Sequence, residues 1–461
     1  MTEAHIENAL NDRYVLSTPE DQANSRLSTG WLLLAVGSLV VAGLFTILLV
    51  LSRTPYVQDI IPWVDFFHTA LVVHVDLTVL VWFLGYAGMF WSLNSTTGCT
   101  NCGWAGLFLA ILGTAIIVFA PFLGAGGPFM NNYIPVLQDP IFFTGLAIFG
   151  LGFLITVLRG LFYARPVGHE ISGGGAIRFG LYTALIAGFI AIYALFASWN
   201  GIPEGVSGEY YYEMLFWGLG HTLQFVHIQL MLVAWLCLAT IAGIFPRLTP
   251  RVALILFAIG IIPVVLTPVA YIMFEVGTGN HMQAITWLMQ YGGGMAALPV
   301  GLVIMYSLIT IKTGMPKSSA EANALYFSIL LFGVGGVIGF MIHGSNVTVP
   351  AHYHGSIVAV TIAFMGITYH LLPRLGFRKP EGRMVRLQPV IYGIGQLMHV
   401  TGLAWSGGYG VQRKTAGAEQ GLDGIEKIAG MGFMGLGGLI AIIGGIIFLV
   451  VVYKSMRRIG Q

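Results

Sequence analysis

Apolar runs of about twenty residues alternate with short polar stretches along the whole chain. They fall at Trp31–Leu51, Phe67–Leu93, Trp104–Leu123, Ile141–Leu158, Leu181–Ala197, Met214–Ile241, Val252–Phe274, Ile285–Ile311, Leu325–Ile342, Ala351–Leu372, Val390–Trp405 and Phe433–Tyr453. Each is long enough to cross a bilayer as a helix and far too long for a barrel strand. The pattern predicts an all-α, polytopic membrane protein, a bundle of twelve transmembrane helices. Residues 1–30 form a polar segment ahead of the first span, and residues 31–461 form one membrane domain. No signal-peptide pattern heads that segment, and no repeat or linker marks a second domain.

Most basic residues flank one side of this ladder: Arg13 and Arg26, Arg159, Arg165 and Arg178, Arg247 and Arg251, Lys312 and Lys317, the cluster from Arg374 to Arg386, and Lys454 to Arg458. Arg53, Arg413, Lys414 and Lys427 fall on the other. By the positive-inside rule both termini are cytoplasmic, in a bacterial or archaeal cytoplasmic membrane. Composition agrees, with 56% hydrophobic and 9% charged residues among 461. The formal net charge of +2 conceals the asymmetry, and nothing in it points to nucleic acid. Cys99 and Cys102 make a CxxC, read as an outer loop between the second and third spans and as a disulfide or two inert thiols. Gly103 follows, so this is not the CxxCH of covalent haem attachment.

Against this apolar background the histidines are costly and point to function. His352 and His354 stand at i and i+2 near the outer end of the tenth span, so their side chains project about 200° apart. One helix can then serve two metal centres. His74 lies in the second span, His221 in the sixth and His281 just past the seventh, all at a similar outer depth. Imidazole is the usual ligand of haem iron and of copper or non-haem iron. The arithmetic suits two haems and one further metal. His74 and His354 supply a six-coordinate haem, His352 a five-coordinate one, and His221 and His281 a second metal opposite its open face.

The stretch "VPAHYHGSIVAVTIAFMGITYHLLPRLG" resembles the tenth helix of the catalytic subunit (subunit I) of the heme–copper oxidase superfamily. "VVHVDLTVLVWFLG" resembles its second helix, most closely in the nitric oxide reductase form. "FWGLGHTLQF" resembles its sixth, and "GLAWSGGYGVQRKT" the outer loop before its last. The resemblance implies His74 and His354 as ligands of the low-spin haem and His352 as the proximal ligand of the high-spin haem. It implies His221 as a ligand of the non-haem metal, and Arg413 and Lys414 as partners of the haem propionates.

The chain departs from the family in two places. Where two adjacent histidines normally end the seventh helix, "VGTGNHMQAITWLMQYGGGMAALP" offers Asn280 and His281, with Glu275 ahead as another oxygen ligand. Such a donor set suits iron better than copper, although copper remains possible. One turn after His221, many oxygen reductases place a tyrosine. Here Phe225 stands there, with Gln224 as the nearest polar residue. With about three residues inserted after it, Tyr271 would match the position where one oxygen-reducing branch, the C family, carries its redox tyrosine. His227, His343, His370 and His399 read as packing or surface residues.

These readings converge on a divergent nitric oxide reductase-like subunit, for which two b-type haems and one non-haem metal, iron favoured, are expected. The alternative is a terminal oxygen reductase related to the C family, with copper and Tyr271 at the site. A haem-bearing sensor without the second metal is a third reading. The expected partners are the lipid bilayer, a small gaseous substrate, and a donor subunit with haem c or a cupredoxin domain docking on the outer face.

Overall fold

The computed structural model describes residues 13–17, 21–51, 66–124, 126–244, 246–310, 319–414 and 421–456. Of the orienting charges, Arg53, Lys312, Lys317, Arg457 and Arg458 lie outside them. The described chain is helical apart from one short hairpin, and it divides into two compact units.

The first unit comprises Leu16–Leu230 and Leu254–Met295. It holds α1 (Gln22–Leu51), α2 (Phe66–Val75), a π-helical segment (Asp76–Val81), α3 (Trp82–Leu93), α4 (Thr100–Phe119), α5 (Pro140–Tyr163) and α6 (Gly173–Gly201). It also takes α7 (Gly208–Ile241) as far as Leu230, most of α8 (Pro250–Met273), and α9 (Gly279–Gly292). The hairpin β1 (Pro128–Phe129) and β2 (Val136–Leu137) lies between α4 and α5. The second unit comprises Met1–Val15, Met231–Ala253 and Ala296–Gln461. It holds the rest of α7, α10 (Gly294–Thr310), α11 (Ala320–Phe340), α12 (Thr348–Arg374), α13 (Arg383–Gly408) and α14 (Ile425–Ser455).

Eleven spans among the described residues are long and apolar enough to cross a membrane, α9 and α10 counting as one. The twelfth expected span, Val390–Trp405, lies within the 26-residue helix α13. Ends differ from the apolar runs where capping chemistry intervenes. The first helix begins at Gln22, ahead of Trp31, because the Asp21 carboxylate accepts the Asn24 backbone N–H at 2.7 Å. Between α9 and α10 the chain breaks at Gly293.

The cysteine pair is placed differently from the expectation. Cys99 and Cys102 form a disulfide. Thr96 N–H donates to the Tyr163 carbonyl at 2.8 Å and Arg165 N–H to the Asn94 carbonyl at 2.7 Å. Arg159 Nε donates to the Cys99 carbonyl at 3.1 Å. The pair therefore sits at the end that carries Arg159 and Arg165, the side that the basic residues were expected to mark as cytoplasmic. Parity explains this: two crossings return the chain to the face from which it started.

In the second unit, α11 and α12 meet closely enough that a Cβ on Gly355 would stand 2.6 Å from the Gly335 Cα. Small residues permit such approach in a bilayer, where packing rather than water drives helices together. Gly355→Ala is expected to pry α12 from α11 at about 1–3 kcal/mol of overpacking. A lowered thermal midpoint in detergent, followed by circular dichroism, would show it; an unchanged midpoint would mean the contact is soft.

Candidate haem and metal site

His221 stands on α7 and is 6% exposed. Its Nδ1 lies 2.8 Å from the Trp217 carbonyl of its own helix. A carbonyl only accepts, so Nδ1 carries the proton and the lone pair is on Nε2. Tyr133 Oη, 2.9 Å from Nε2, donates to it. Tyr133 comes from the turn between β1 and β2, whose backbone Asn131 folds by accepting the N–H of Tyr133 at 2.9 Å and of Ile134 at 2.8 Å. Asn132 N–H donates to Glu213 Oε2 at 3.0 Å, and its side-chain amide bonds the other oxygen. Desolvation, and then the Glu213 carboxylate, hold the Tyr133 phenol well above its ordinary range.

The same end of the unit holds His281, in the first turn of α9. Thr278 caps that turn by accepting the His281 N–H at 3.3 Å. His281 is 1% exposed and neither ring nitrogen has a hydrogen-bond partner. The Tyr271 ring packs edge-on against it, centroids 4.6 Å apart, and Tyr271 Oη is 2.7 Å from the Ser198 hydroxyl. Trp217 links the two histidines' neighbourhoods. Its ring lies 4.7 Å from His221, and its Nε1 donates to the Met282 carbonyl at 3.0 Å. Asn280 and Glu275 are exposed, and Glu275 lines an open cavity of about 560 Å³ with Tyr193, Tyr271 and Thr278. Gln224 is half-buried and Phe225 buried.

His74, also in this unit, ends α2 with Nδ1 donating to the Ala42 carbonyl at 3.1 Å, beside the Thr46 hydroxyl. The π-helical segment follows at once. Asp76 is 1% exposed, and neither carboxyl oxygen has a hydrogen-bond partner. His227 packs on Phe83 with ring centroids 4.6 Å apart, and its Nε2 is buried without a hydrogen-bond partner.

In the second unit, His352 and His354 project from α12. His352 Nδ1 donates to the Gly335 carbonyl of α11 at 2.7 Å, and His354 Nδ1 to the Pro350 carbonyl of its own helix at 2.9 Å. His399 packs against His354 with centroids 4.9 Å apart and the rings tilted by 42°, and donates to the Met434 carbonyl at 3.2 Å. Arg413 Nε donates to Ser345 Oγ at 3.0 Å, and Lys414 is exposed in a left-handed turn at φ 61°.

One feature unites His74, His221, His352 and His354: each has Nδ1 committed to a backbone carbonyl, which leaves Nε2 as the ligating nitrogen. This is how proteins fix the tautomer and aim of a metal-bound imidazole. Among the described residues no group of three or more His, Cys, Asp or Glu side chains could hold a metal ion. His281 nonetheless fits as an imidazole ligand of one: it has two buried nitrogens without a hydrogen-bond partner, each costing about 1–3 kcal/mol if left so. The His221 lone pair is taken by the Tyr133 hydroxyl. Sequence reasoning missed Tyr133, Trp217 and Ser198. The Asn-Asn-Tyr turn signalled a loop and carried no sign that it reaches His221.

Residues 26–447 match the family described as "Cytochrome C and Quinol oxidase polypeptide I". An uncharacterized protein of Rickettsia prowazekii (strain Madrid E) is 27% identical over 501 aligned residues, covering 94% of this chain and 96% of the relative. Another, of Aquifex aeolicus (strain VF5), is 28% identical over 365, covering 78% and 88%. The structure of a heme-copper terminal oxidase dimer matches the fold with a TM-score of 0.69 at 16% identity, covering 95% of this chain and 85% of that one. The chain belongs to the cytochrome c and quinol oxidase polypeptide I family of the heme–copper oxidase superfamily, whose members are membrane respiratory oxidoreductases with haems, a dinuclear metal centre and electron-donor partners.

Proposed function

We propose that this chain is a nitric oxide reductase-like catalytic subunit, in which two nitric oxide molecules take two electrons and two protons to give nitrous oxide and water. His74 and His354 hold the low-spin haem, His352 holds the high-spin haem, and Arg413 and Lys414 meet the propionates. His221 and His281 hold the second metal, with Glu275 and Asn280 as the nearby oxygen donors in sequence. When bound, the iron and second metal supply Lewis-acidic positions that hold two small molecules close and withdraw charge from them.

The observation that carries this reading is Phe225. It is 3% exposed and packs towards Gly292 of α9. It can neither donate a proton nor carry an electron, so the position one turn after His221 lacks the phenol that oxygen reduction uses there. Gln224 beside it can hydrogen-bond a bound molecule. Both termini lie on the cytoplasmic side, and the donor, with haem c or a cupredoxin domain, docks on the outer face.

A second reading, a C-family-like oxygen reductase, is supported by the contact of Tyr271 with His281. Metal analysis of the purified complex separates the two. About three irons per two haems without copper is expected for nitric oxide reduction, since a hard donor set selects iron. Two irons with one copper would favour oxygen. Tyr271→Phe would then abolish oxygen turnover, whereas under the first reading it has little effect.

A further inference from the structure

The disulfide between Cys99 and Cys102 closes over the start of α4, with Cys99 as its N-cap and Thr100 its first helical residue. Both cysteines are half-buried, and Thr97 and Asn101 beside them are exposed, so the loop is open to reagents in solvent. It stands with Arg159 and Arg165, on the side that the basic residues mark as cytoplasmic. Disulfides persist in oxidising compartments, whereas those of the cytosol are usually transient and catalytic or redox-sensing.

The surroundings suit a bond that opens. Exchange begins when an outside thiolate attacks one sulfur and the other leaves as a thiolate. A helix N-terminus and a nearby guanidinium both stabilise such a thiolate. Here α4 starts inside the Cys-x-x-Cys ring, and a Cβ on Gly103 would stand 3.2 Å from Arg159 Nε. Cys99 is held at φ 39° and ψ 55°, a left-handed conformation that a side chain disfavours. Its carbonyl accepts from the Gly103 N–H at 3.2 Å and from Arg159 Nε at 3.1 Å. Arg159 is 5% exposed, and it also donates to Asn24 Oδ1 of α1 at 2.8 Å and to the Thr96 carbonyl at 3.4 Å. The backbone of Cys99 is thereby tied to the corner where α1, α4 and α5 meet.

We propose that Cys99 and Cys102 are a thiol–disulfide exchange site, opened by a dithiol reductant on the basic side, and that opening loosens the Arg159 corner. Two thiols of the reductant become its disulfide, and two electrons and two protons pass to Cys99 and Cys102. One cysteine first joins the reductant in a mixed disulfide, which the reductant's second thiol then resolves. Freed from the ring, Cys99 relaxes to a right-handed conformation and its carbonyl turns from Arg159. No haem or metal enters this exchange, which rests only on the orientation that the basic residues give.

The test is thiol trapping on the purified complex, read by the mass that a maleimide-polyethylene glycol adds to the chain. Without denaturant, a glutathione buffer at the cytosolic ratio of reduced to oxidised form is expected to hold most of the pair open. A structural disulfide stays closed in that buffer. Cys237, 2% exposed, should take label only in denaturant and so serves as the internal reference. A membrane-impermeant maleimide should reach the opened pair in inside-out vesicles and not in intact cells. Hydrogen–deuterium exchange over residues 94–103 should quicken about tenfold on reduction and slow again on reoxidation. A pair that stays closed in the buffer, or two thiols that never join on oxidation, would overturn the proposal. So would label arriving only in intact cells, and so would hydrogen exchange that ignores the redox state.

Discussion

His221→Ala is expected to leave both haems in place and to remove the second metal. The substitution keeps α7 intact, since alanine is the best helix former. It deletes the one imidazole in this unit whose Nε2 is aimed by a Trp217 carbonyl. Tyr133 then loses its hydrogen-bond acceptor, at a cost of about 1–3 kcal/mol that is a small matter beside the metal. Metal beyond the haem iron should fall from about one per two haems to near zero. Reduction of a diatomic gas should fall on the order of a thousandfold or more, since a catalytic metal contributes several kcal/mol to the barrier. Elemental analysis and gas consumption with an artificial donor check both halves. A variant that keeps its third metal would remove His221 from the ligand set.

The second large effect separates the two haems. His352 and His354 differ by one residue and by about 200° around α12, and their backbone anchors lie on different helices. His354→Ala is expected to abolish the low-spin spectrum and spare the high-spin one; His352→Ala should do the reverse. Either change interrupts electron delivery, so turnover should fall on the order of a thousandfold in both. Haem extraction and low-temperature absorption spectra of the two variants read the assignment directly. If either variant lost both spectra, or neither, the separate roles would be wrong.

How much of this was legible depends on the range of the interaction concerned. The spans were readable because a bilayer imposes its thickness on each apolar run independently. The histidines were readable because an imidazole in such a run is costly unless used. Asp21 capping Asn24 is equally local, yet it moved a helix end outside the apolar window that had marked it. Tyr133 was illegible because its partner His221 is 88 residues away, and the turn that delivers it owes its place to Glu213 on the partner's own helix. The cysteine loop was misplaced by an error of parity that the bond from Arg165 to Asn94 makes plain.

The π-helical segment from Asp76 to Val81 bears on how distant relatives should be compared. A π-turn takes up about one residue more than an α-turn, so the segment behaves as an insertion absorbed within the membrane. A residue lost elsewhere in the span, with no bulge to absorb the change, would rotate everything beyond it by about 100°. His74 and the buried wall from Trp82 to Leu93 could not then both keep their neighbours. The span should thus accept many changes of residue type but few of length. Where relatives of this chain align with a lone gap in the second span, the gap belongs between Asp76 and Val81, and the histidine before it stays in register.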